Sequence, residues 1–325
     1  MHHAPLLATI DLGSNSFRLE ISRCTHSAAH SRTERVQYLK EIVRQGNGLD
    51  DSGNLSAAAM QRGWDCLARF ASCLAQYPGI RVRAIATQTL REARNREEFV
   101  RQGSAILGHP IDILSGNEEA QLVYQGVAQG LPPSDETRLV LDIGGRSTEL
   151  ILGQRGTAHA TASFPVGSVT WSMQHFADGS LSAPAFAHAV ASAKAALAPA
   201  LATYHRSAWQ AAYGSSGTVT AAREILSVAG RRATHITRAD VDWIQQQLLR
   251  ADLSDPLQAA LDKENRRPMI GGGISVLRAV FELLDIERLQ VVKGALRQGV
   301  LADMLAGVLA EISADMPLPA PPKIG

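Results

Sequence analysis

Residues 139–152, LVLDIGGRSTELIL, are the stretch that decides the fold. They open with a short apolar run typical of a buried strand, break at Gly144 and Gly145, and resume as a second strand. Glycine lets another backbone or a phosphate approach closely. An acid at a strand end, Asp142, beside a glycine turn and the hydroxyl of Ser147 suits a phosphate and its divalent cation. The alternative interpretation is an ordinary hairpin with a glycine turn.

A second copy of the pattern weighs against the ordinary hairpin. Residues 7–21, LATIDLGSNSFRLEI, carry the same acid, glycine, hydroxyl and leucine at one constant offset. A strand–turn–strand in both halves implies two related domains that face each other across a cleft, each presenting a loop to the same ligand. The matched pairs are Asp11 with Asp142, Gly13 with Gly144, Ser16 with Ser147, and Leu19 with Leu150.

Length and composition bound the class of protein. A chain of 325 residues predicts roughly two domains, each with its own core. Hydrophobic content of 45% with 19% charged residues is ordinary for a soluble globular protein. A net charge of +1 gives no case for binding nucleic acid or an acidic membrane through bulk electrostatics, so any anion site is local. No run approaches transmembrane length and no leader is evident, so we expect a cytoplasmic protein.

The order of elements predicts the architecture. Strands and helices alternate, and an antiparallel hairpin opens each half, which fits an α/β fold with mixed sheets. The predicted organisation is a first domain over residues 1–125, a second over 126–312, and a proline-rich, disordered tail over 313–325.

Local signals predict single elements. Ser56 and Asn95 are candidate helix N-caps. The polar residues 25–35 favour a loop, and the three glycines 271–273 are expected to introduce a helix that starts at Ile274.

Six blocks of sequence together resemble the exopolyphosphatase / guanosine pentaphosphate phosphohydrolase (Ppx/GppA) family. They follow the family's order and cover about residues 6–310, and several motifs in order are a stronger signal than one. The blocks are residues 10–16 (IDLGSNS), 86–91 (ATQTLR), 115–120 (SGNEEA), 142–149 (DIGGRSTE), 214–218 (GSSGT) and 294–299 (GALRQG).

The resemblance implies both fold and activity. The implied fold is two actin-like (ribonuclease H-like) domains with mixed sheets flanking a central cleft. The implied activity is release of phosphate from inorganic polyphosphate or from a nucleotide's 5′-triphosphate, with Mg²⁺ or Mn²⁺ as the cofactor. The implied binding partner is polyphosphate or guanosine penta/tetraphosphate. A homodimer is expected on the same ground.

Two features depart from the family pattern. Arg146 stands where the family usually has a glycine, and it could add a bidentate phosphate contact or crowd the loop. The chain also resembles the short members of the family, which lack extra C-terminal helical domains.

Glu119 and Arg91 are the candidate catalytic residues. Glu119 matches the family's catalytic glutamate, which orients or deprotonates the attacking water. Glu118 and Glu119 both fall in the first turn of a predicted helix, where an acid is favoured by the helix dipole, so a purely structural role is the alternative. Arg91 is the candidate for clamping phosphate, with Arg18 a weaker one.

The remaining site residues divide by role. Asp142 and Glu149 are the candidate metal ligands, with Asp11 as their mirror-copy companion, because Mg²⁺ commonly takes one or two carboxylates plus waters and phosphate oxygens. A third loop follows a strand near residue 214, with a simple Ser/Thr-capped helix start as its alternative. The candidate phosphate-binding residues are Ser14, Asn15, Gly144, Gly145, Arg146 and Ser147, with Gly214, Ser215, Gly217 and Thr218 in the third loop.

Two rival functions share this architecture. One is an ATP-dependent phosphotransferase (kinase) of the actin-like superfamily, which would need an acceptor. The other is a non-catalytic sensor that binds polyphosphate or guanosine tetraphosphate. A Walker-type Gly-x₄-Gly-Lys-Ser/Thr segment is absent from the sequence, which removes the P-loop class.

Overall fold

The computed structural model describes residues 5–26, 31–231, 234–250, 254–263 and 266–314. Its first sheet, with the helices around it, forms the first lobe. The strands of this sheet follow the order β3-β2-β1-β4-β5 and are β1 (Leu6–Leu12), β2 (Ser16–His26), β3 (Ser31–Ile42), β4 (Arg81–Ala86) and β5 (Ile111–Ile113).

The first hairpin is buried on both faces. Phe17, Leu19 and Ile21 on one face are fully buried, and Glu20 and Ser22 on the other face are buried as well. The loop predicted over residues 25–35 is wrong at both ends, since β2 runs to His26, and β3 begins at Ser31 and pairs antiparallel with β2. A polar sequence is compatible with an edge strand, because one face of an antiparallel sheet can meet water.

The second sheet forms the second lobe and repeats this arrangement. Its first three strands make an antiparallel meander. On the other side of the first strand two strands add in parallel, and an edge strand then pairs antiparallel with the second of them. The strands, in the spatial order β10-β11-β9-β6-β7-β8, are β6 (Arg138–Ile143), β7 (Thr148–Gln154), β8 (Thr157–Phe164), β9 (Ala211–Ser215), β10 (His235–Thr237) and β11 (Arg288–Val291).

Both sheets therefore share one core topology, in which a hairpin partner lies on one side of the first strand and parallel strands on the other. The predicted α/β fold of two actin-like domains with mixed sheets is confirmed. The helices are α1 (Ala57–Leu74), α2 (Gln88–Glu92), α3 (Arg96–Leu107), α4 (Gly116–Ala128), α5 (Ser168–His175), α6 (Ala183–Leu197), α7 (Leu201–Tyr204), α8 (Ser216–Val228), α9 (Arg238–Leu248), α10 (Asp255–Asp262), α11 (Arg267–Leu283) and α12 (Leu296–Ala314).

The two predicted N-caps behave differently. The Ser56 side chain accepts from the backbone N–H of Ala59 and caps α1, as predicted. Asn95 makes no side-chain cap for α3. Its amide instead bonds both the N–H and the C=O of Leu55, at 2.8 and 2.9 Å, which ties the start of α3 to the segment before α1.

The three glycines 271–273 lie inside α11, so the expectation that they precede a helix is wrong. A Cβ at Gly272 would lie 2.4 Å from the carbonyl oxygen of Ser168 and 2.5 Å from the N–H nitrogen of Ser172. The glycines allow α11 to pack backbone to backbone against α5, and this close approach explains why residues of low helix propensity occupy a helix interior.

The helices α4 and α12 each lead from one lobe to the other. The chain leaves the first sheet through α4, which packs on β7 and β8, and it returns through α12, which packs on α4 and β1. A Cβ at Gly299 would lie 1.8 Å from the carbonyl oxygen of Leu122, so the two helices also touch through their backbones. The division at residues 1–125 and 126–312 stays a prediction, and the tail predicted over 313–325 lies outside the described residues from 315 onward.

One helical segment of the described chain, Ala183–Tyr204, is long and apolar enough to cross a membrane by length and composition, contrary to the sequence expectation. A 3-10 turn at Ala198–Ala200 interrupts it. Phe186, Ala189 and Leu197 on one of its faces are fully buried in the core of the second lobe.

Candidate active site

The two duplicated loops meet at a cavity of about 500 Å³ between the lobes. The loop between β1 and β2 faces the loop between β6 and β7, and a Cβ at Gly145 would lie 3.0 Å from the Cβ of Ser14. The cavity is lined by all four predicted acids, which are Asp11, Glu119, Asp142 and Glu149. The repeat in the sequence therefore becomes two facing loops around one site.

The four acids are held in different ways. Asp142 Oδ2 accepts from the hydroxyl of Ser215 at 3.0 Å. Glu149 Oε1 accepts from the hydroxyl of Ser163 at 2.8 Å. Asp11 is paired with Arg18 at 3.1 Å, and Glu119 is paired with Arg91. The exposed fraction is 1% for Glu149, 5% for Asp11, and 8% for both Glu119 and Asp142.

Burial makes the ionised forms of these acids costly. It raises the pKa of Asp142 to about 6, against the opposing bond from Ser215 and the charge of Arg18. Burial also raises the pKa of Glu149 well above its ordinary value, and the charges of Glu119 and Asp142 push it in the same direction. Burial is thus the main cause of both shifts, and the negative charges of neighbouring acids add to it.

A divalent cation fits this donor set. Asp142 and Glu149 are directly paired across the β6–β7 hairpin, so their oxygens belong to one face of the loop. Among the described residues no group of three or more His, Cys, Asp or Glu is spaced as a closed metal cage. Mg²⁺ does not need one, because it keeps several waters and takes phosphate oxygens alongside one or two carboxylates.

The start of α4 separates the roles of its two acids. The Ser115 hydroxyl accepts from the N–H of Glu118 at 3.2 Å, and the Glu118 carboxylate accepts from the N–H of Ser115 at 2.8 Å. This reciprocal pair is a capping box, so the structural role falls to Glu118. Glu119 lines the cavity instead, and burial raises its pKa to about 7 although Arg91 opposes the shift.

Arg91 lies behind Glu119 and is absent from the cavity lining. Its Nη1 donates to Glu119 Oε2 at 3.1 Å and to the carbonyl oxygen of Leu114 at 2.7 Å. Its Nε donates to the side-chain oxygen of Gln88 at 3.0 Å. In this geometry the guanidinium holds the carboxylate of Glu119, and the role of Arg91 as a phosphate clamp stays a prediction.

The predicted phosphate loops line the cavity, with one correction. Ser14, Asn15, Gly145 and Ser147 lie on its wall. Gly144 lies there too, but its N–H closes the turn by donating to the carbonyl oxygen of Ser147 at 2.9 Å and is not directed at a ligand.

Arg146 reaches across the cleft. Its Nε donates to Glu92 Oε2 at 2.9 Å and its Nη1 donates to the carbonyl oxygen of Gly46 at 3.0 Å, both in the first lobe. The side chain that was expected either to bind phosphate or to crowd the loop is engaged in a contact between the lobes.

The third loop is more than a capped helix start. Ser215, at the N-cap of α8, makes no side-chain cap and donates to Asp142. The Thr218 hydroxyl donates to the carbonyl oxygen of Ile143 at 3.0 Å, which fixes α8 beneath the loop between β6 and β7. Gly217 and Thr218 line the cavity, whereas Gly214 and Ser215 do not.

Sequence reasoning missed most of the basic wall of the cavity. These residues come from separated segments of both lobes, and no spacing in the sequence marks them as one set. Arg297 was raised only as part of the block at residues 294–299. The basic residues that line the cavity besides Arg18 and Arg146 are Arg35, Lys40, Arg223, Arg266, Lys293 and Arg297.

The chain has known relatives. The chain is 41% identical over 311 residues to the guanosine-5′-triphosphate,3′-diphosphate pyrophosphatase of Vibrio cholerae, which covers 95% of this chain and 61% of that protein. The enzyme of the same name from Aeromonas salmonicida is 39% identical over 305 residues, covering 94% of this chain and 60% of that protein. The chain thus spans about 60% of the length of these relatives.

Solved structures share the fold. An exopolyphosphatase from Cytophaga hutchinsonii superposes with a TM-score of 0.77 at 24% identity, covering 93% of this chain and 98% of that one. A Ppx/GppA family member from Aquifex aeolicus gives a TM-score of 0.72 at 22% identity, with 94% and 98% covered. The model of the Ppx/GppA phosphatase family matches residues 25–307. The chain belongs to the Ppx/GppA phosphatase family.

Proposed function

We propose that the protein is a phosphohydrolase that removes terminal phosphate from guanosine pentaphosphate, inorganic polyphosphate or both. The observation that carries the proposal is the convergence of Glu119, Asp142 and Glu149 on one cavity between two glycine loops. The names of the relatives support a nucleotide substrate, and the basic wall supports an anionic chain of several phosphates.

Glu119 would prepare the attacking water. One of its carboxylate oxygens, Oε2, is held by Arg91, so the other can accept a proton from water. Its burial excludes bulk solvent and holds the carboxylate in one orientation, which in-line attack on a phosphate requires.

The loops would hold the phosphate under attack. Asn15, Gly145 and Ser147 present backbone and side-chain groups at the wall, where donors can meet the charge that develops on the transferred group. Asp142 and Glu149 would hold Mg²⁺ or Mn²⁺, which when bound neutralises phosphate charge and orients the oxygens. Asp11, held by Arg18, would stay as the companion acid on the facing loop.

A phosphate-release assay tests the proposal. Purified protein with Mg²⁺ is given guanosine pentaphosphate, short polyphosphate and long polyphosphate side by side, with no acceptor. Release of inorganic phosphate supports the hydrolase. Formation of ADP from ATP only with a sugar or acid acceptor would establish the kinase instead, and binding without turnover would establish the sensor.

A cytoplasmic location and a homodimer belong to the same proposal. They follow from composition and from the family resemblance, and they need their own tests. Cell fractionation decides the first, and light scattering of the purified protein decides the second.

A further inference from the structure

Arg146 belongs to the phosphate loop of the second lobe, but its guanidinium is bound by the first lobe. Its Nε and Nη2 lie 2.9 and 2.7 Å from Glu92 Oε2, and its Nη1 donates to the carbonyl oxygen of Gly46 at 3.0 Å. The Arg146 side chain is 15% exposed and that of Glu92 30%. A charge-assisted pair shielded to this degree is stronger than an ordinary surface ion pair.

Glu92 is bound in turn to the residues that hold Glu119. Gln88 donates from Nε2 to Glu92 Oε1 at 2.5 Å, and its Oε1 accepts from both Nε and Nη2 of Arg91. Arg91 then donates to Glu119 Oε2 at 3.1 Å. A continuous chain of hydrogen-bonded side chains therefore runs from Arg146 to Glu119.

The short helix α2 makes this chain possible. Gln88 and Glu92 are four residues apart and Gln88 and Arg91 three apart, so all three side chains share one face of a single helical turn. Thr89 and Leu90 on the other face are buried and fix the helix in the first lobe. Loss of the Arg146 charge would leave the Glu92 carboxylate without its cation, and Gln88 and Arg91 would lose the anchor that fixes their orientation.

We propose that Arg146 is a positioning residue, whose ion pair with Glu92 sets Gln88 and Arg91 and thereby orients the carboxylate of Glu119. Closure of the two lobes is in this way coupled to the orientation of the Glu119 carboxylate, which activates the water. The proposal rests on the phosphohydrolase function proposed above.

A double-mutant cycle in phosphate release tests the coupling. The variants are Arg146→Gln, Glu92→Gln and the pair, and Glu92→Gln keeps an oxygen for Gln88 while removing the charge. We expect each single variant to lower kcat about tenfold with little change in KM, and the pair to be no worse than either single variant. Additive losses would overturn the proposal.

The sequence-based roles of Arg146 give different results. If Arg146 binds substrate phosphate, Arg146→Gln raises KM and Glu92→Gln does not, which would overturn the proposal. If Arg146 only crowds its loop, Arg146→Gly raises kcat, which would overturn it as well. We expect Arg146→Gly to lower kcat, and added guanidinium ion at millimolar concentration to restore part of it by occupying the space beside Glu92.

Arg155→Gln is the matched control. Arg155, in the turn that follows β7, also forms an ion pair, with Asp135 at 2.5 Å. Both of these side chains are about three-quarters exposed. We expect its kcat and KM to equal those of the wild type. An equal loss in this variant would show that the effect at Arg146 is not specific to its network.

The ion pair has a readout that needs no turnover. Chemical unfolding of the wild type, Arg146→Gln, Glu92→Gln and the double variant should give a coupling between positions 146 and 92. We expect this coupling to be about tenfold in the unfolding equilibrium constant. Zero coupling would overturn the proposal. If the wild type releases no phosphate while this coupling is present, the proposed function fails and the contact between the lobes stands.

Discussion

At the scale of single residues, the site depends on which of two neighbouring acids faces the cavity. Glu118 closes a capping box with Ser115, and Glu119 turns into the cleft. The sequence could predict that acids belong at this helix start, because the dipole favours both. It could not assign the separate roles from helix physics, since these depend on which side of α4 meets the facing lobe.

Glu119→Gln should reduce phosphate release by at least about a hundredfold, because a neutral amide cannot accept the proton of water. Substrate binding, measured by calorimetry with guanosine tetraphosphate, should survive. Glu118→Gln is the matched control, since a glutamine still fits a capping box and the residue does not line the cavity. Equal activity of Glu119→Gln and wild type would contradict the assignment.

Asp142→Asn should change the pH dependence of stability in protein stripped of divalent cations. Burial raises the pKa of Asp142 to about 6 in the folded state, so the folded form binds this proton more tightly than the unfolded chain. The free energy of unfolding contributed by this group therefore falls as pH rises from about 4 through about 6. In urea unfolding, the stability of Asp142→Asn relative to wild type should rise as pH increases from about 4 to about 6 and stay constant above that. A difference that does not change with pH would contradict this.

At the scale of elements, close approach between two helices explains why a local pattern gave a wrong prediction for the glycines 271–273. The glycines 271–273 read as a break, yet they lie within α11 where it crosses α5. Local propensity describes an isolated segment, whereas this helix is decided by a partner about one hundred residues earlier in the chain. The start of α1 at Ser56 was predictable, because a capping signal is local.

Gly272→Ala should destabilise the protein by about 1–3 kcal/mol, because the added methyl group meets the backbone of α5. Gly307→Ala in α12 is the matched control, since a Cβ there meets nothing within 4 Å. That substitution should stabilise the helix by about 0.5–1 kcal/mol. Thermal or chemical unfolding measures both, and opposite signs are expected. A neutral or stabilising Gly272→Ala would contradict the close packing.

At the scale of the whole molecule, charge is local rather than global. The net charge is +1, yet basic side chains from both lobes line one cavity. The duplicated loops were visible in the sequence, because Asp11 and Asp142 sit in matching motifs. The basic wall and the pair between Arg146 and Glu92 were not, because their members become neighbours only when the lobes come together.

Lys293→Gln should weaken polyphosphate use by roughly two- to fivefold in KM, the range expected for one exposed charge contact. The KM of the variant should also respond less to added salt, because screening acts on the charge that was removed. Lys194→Gln is the matched control, since Lys194 pairs with Glu282 away from the cavity. An unchanged KM in Lys293→Gln would remove this side chain from the substrate path.

The crossed helices α4 and α12 have a consequence for motion. Each connects one lobe to the other, and their backbones touch at Gly126 and Gly299. Because these two helices pack against each other where they connect the lobes, we expect the lobes to rotate about one axis that passes through this contact. The entrance of the cleft would widen or narrow, while the contact between α4 and α12 would move little.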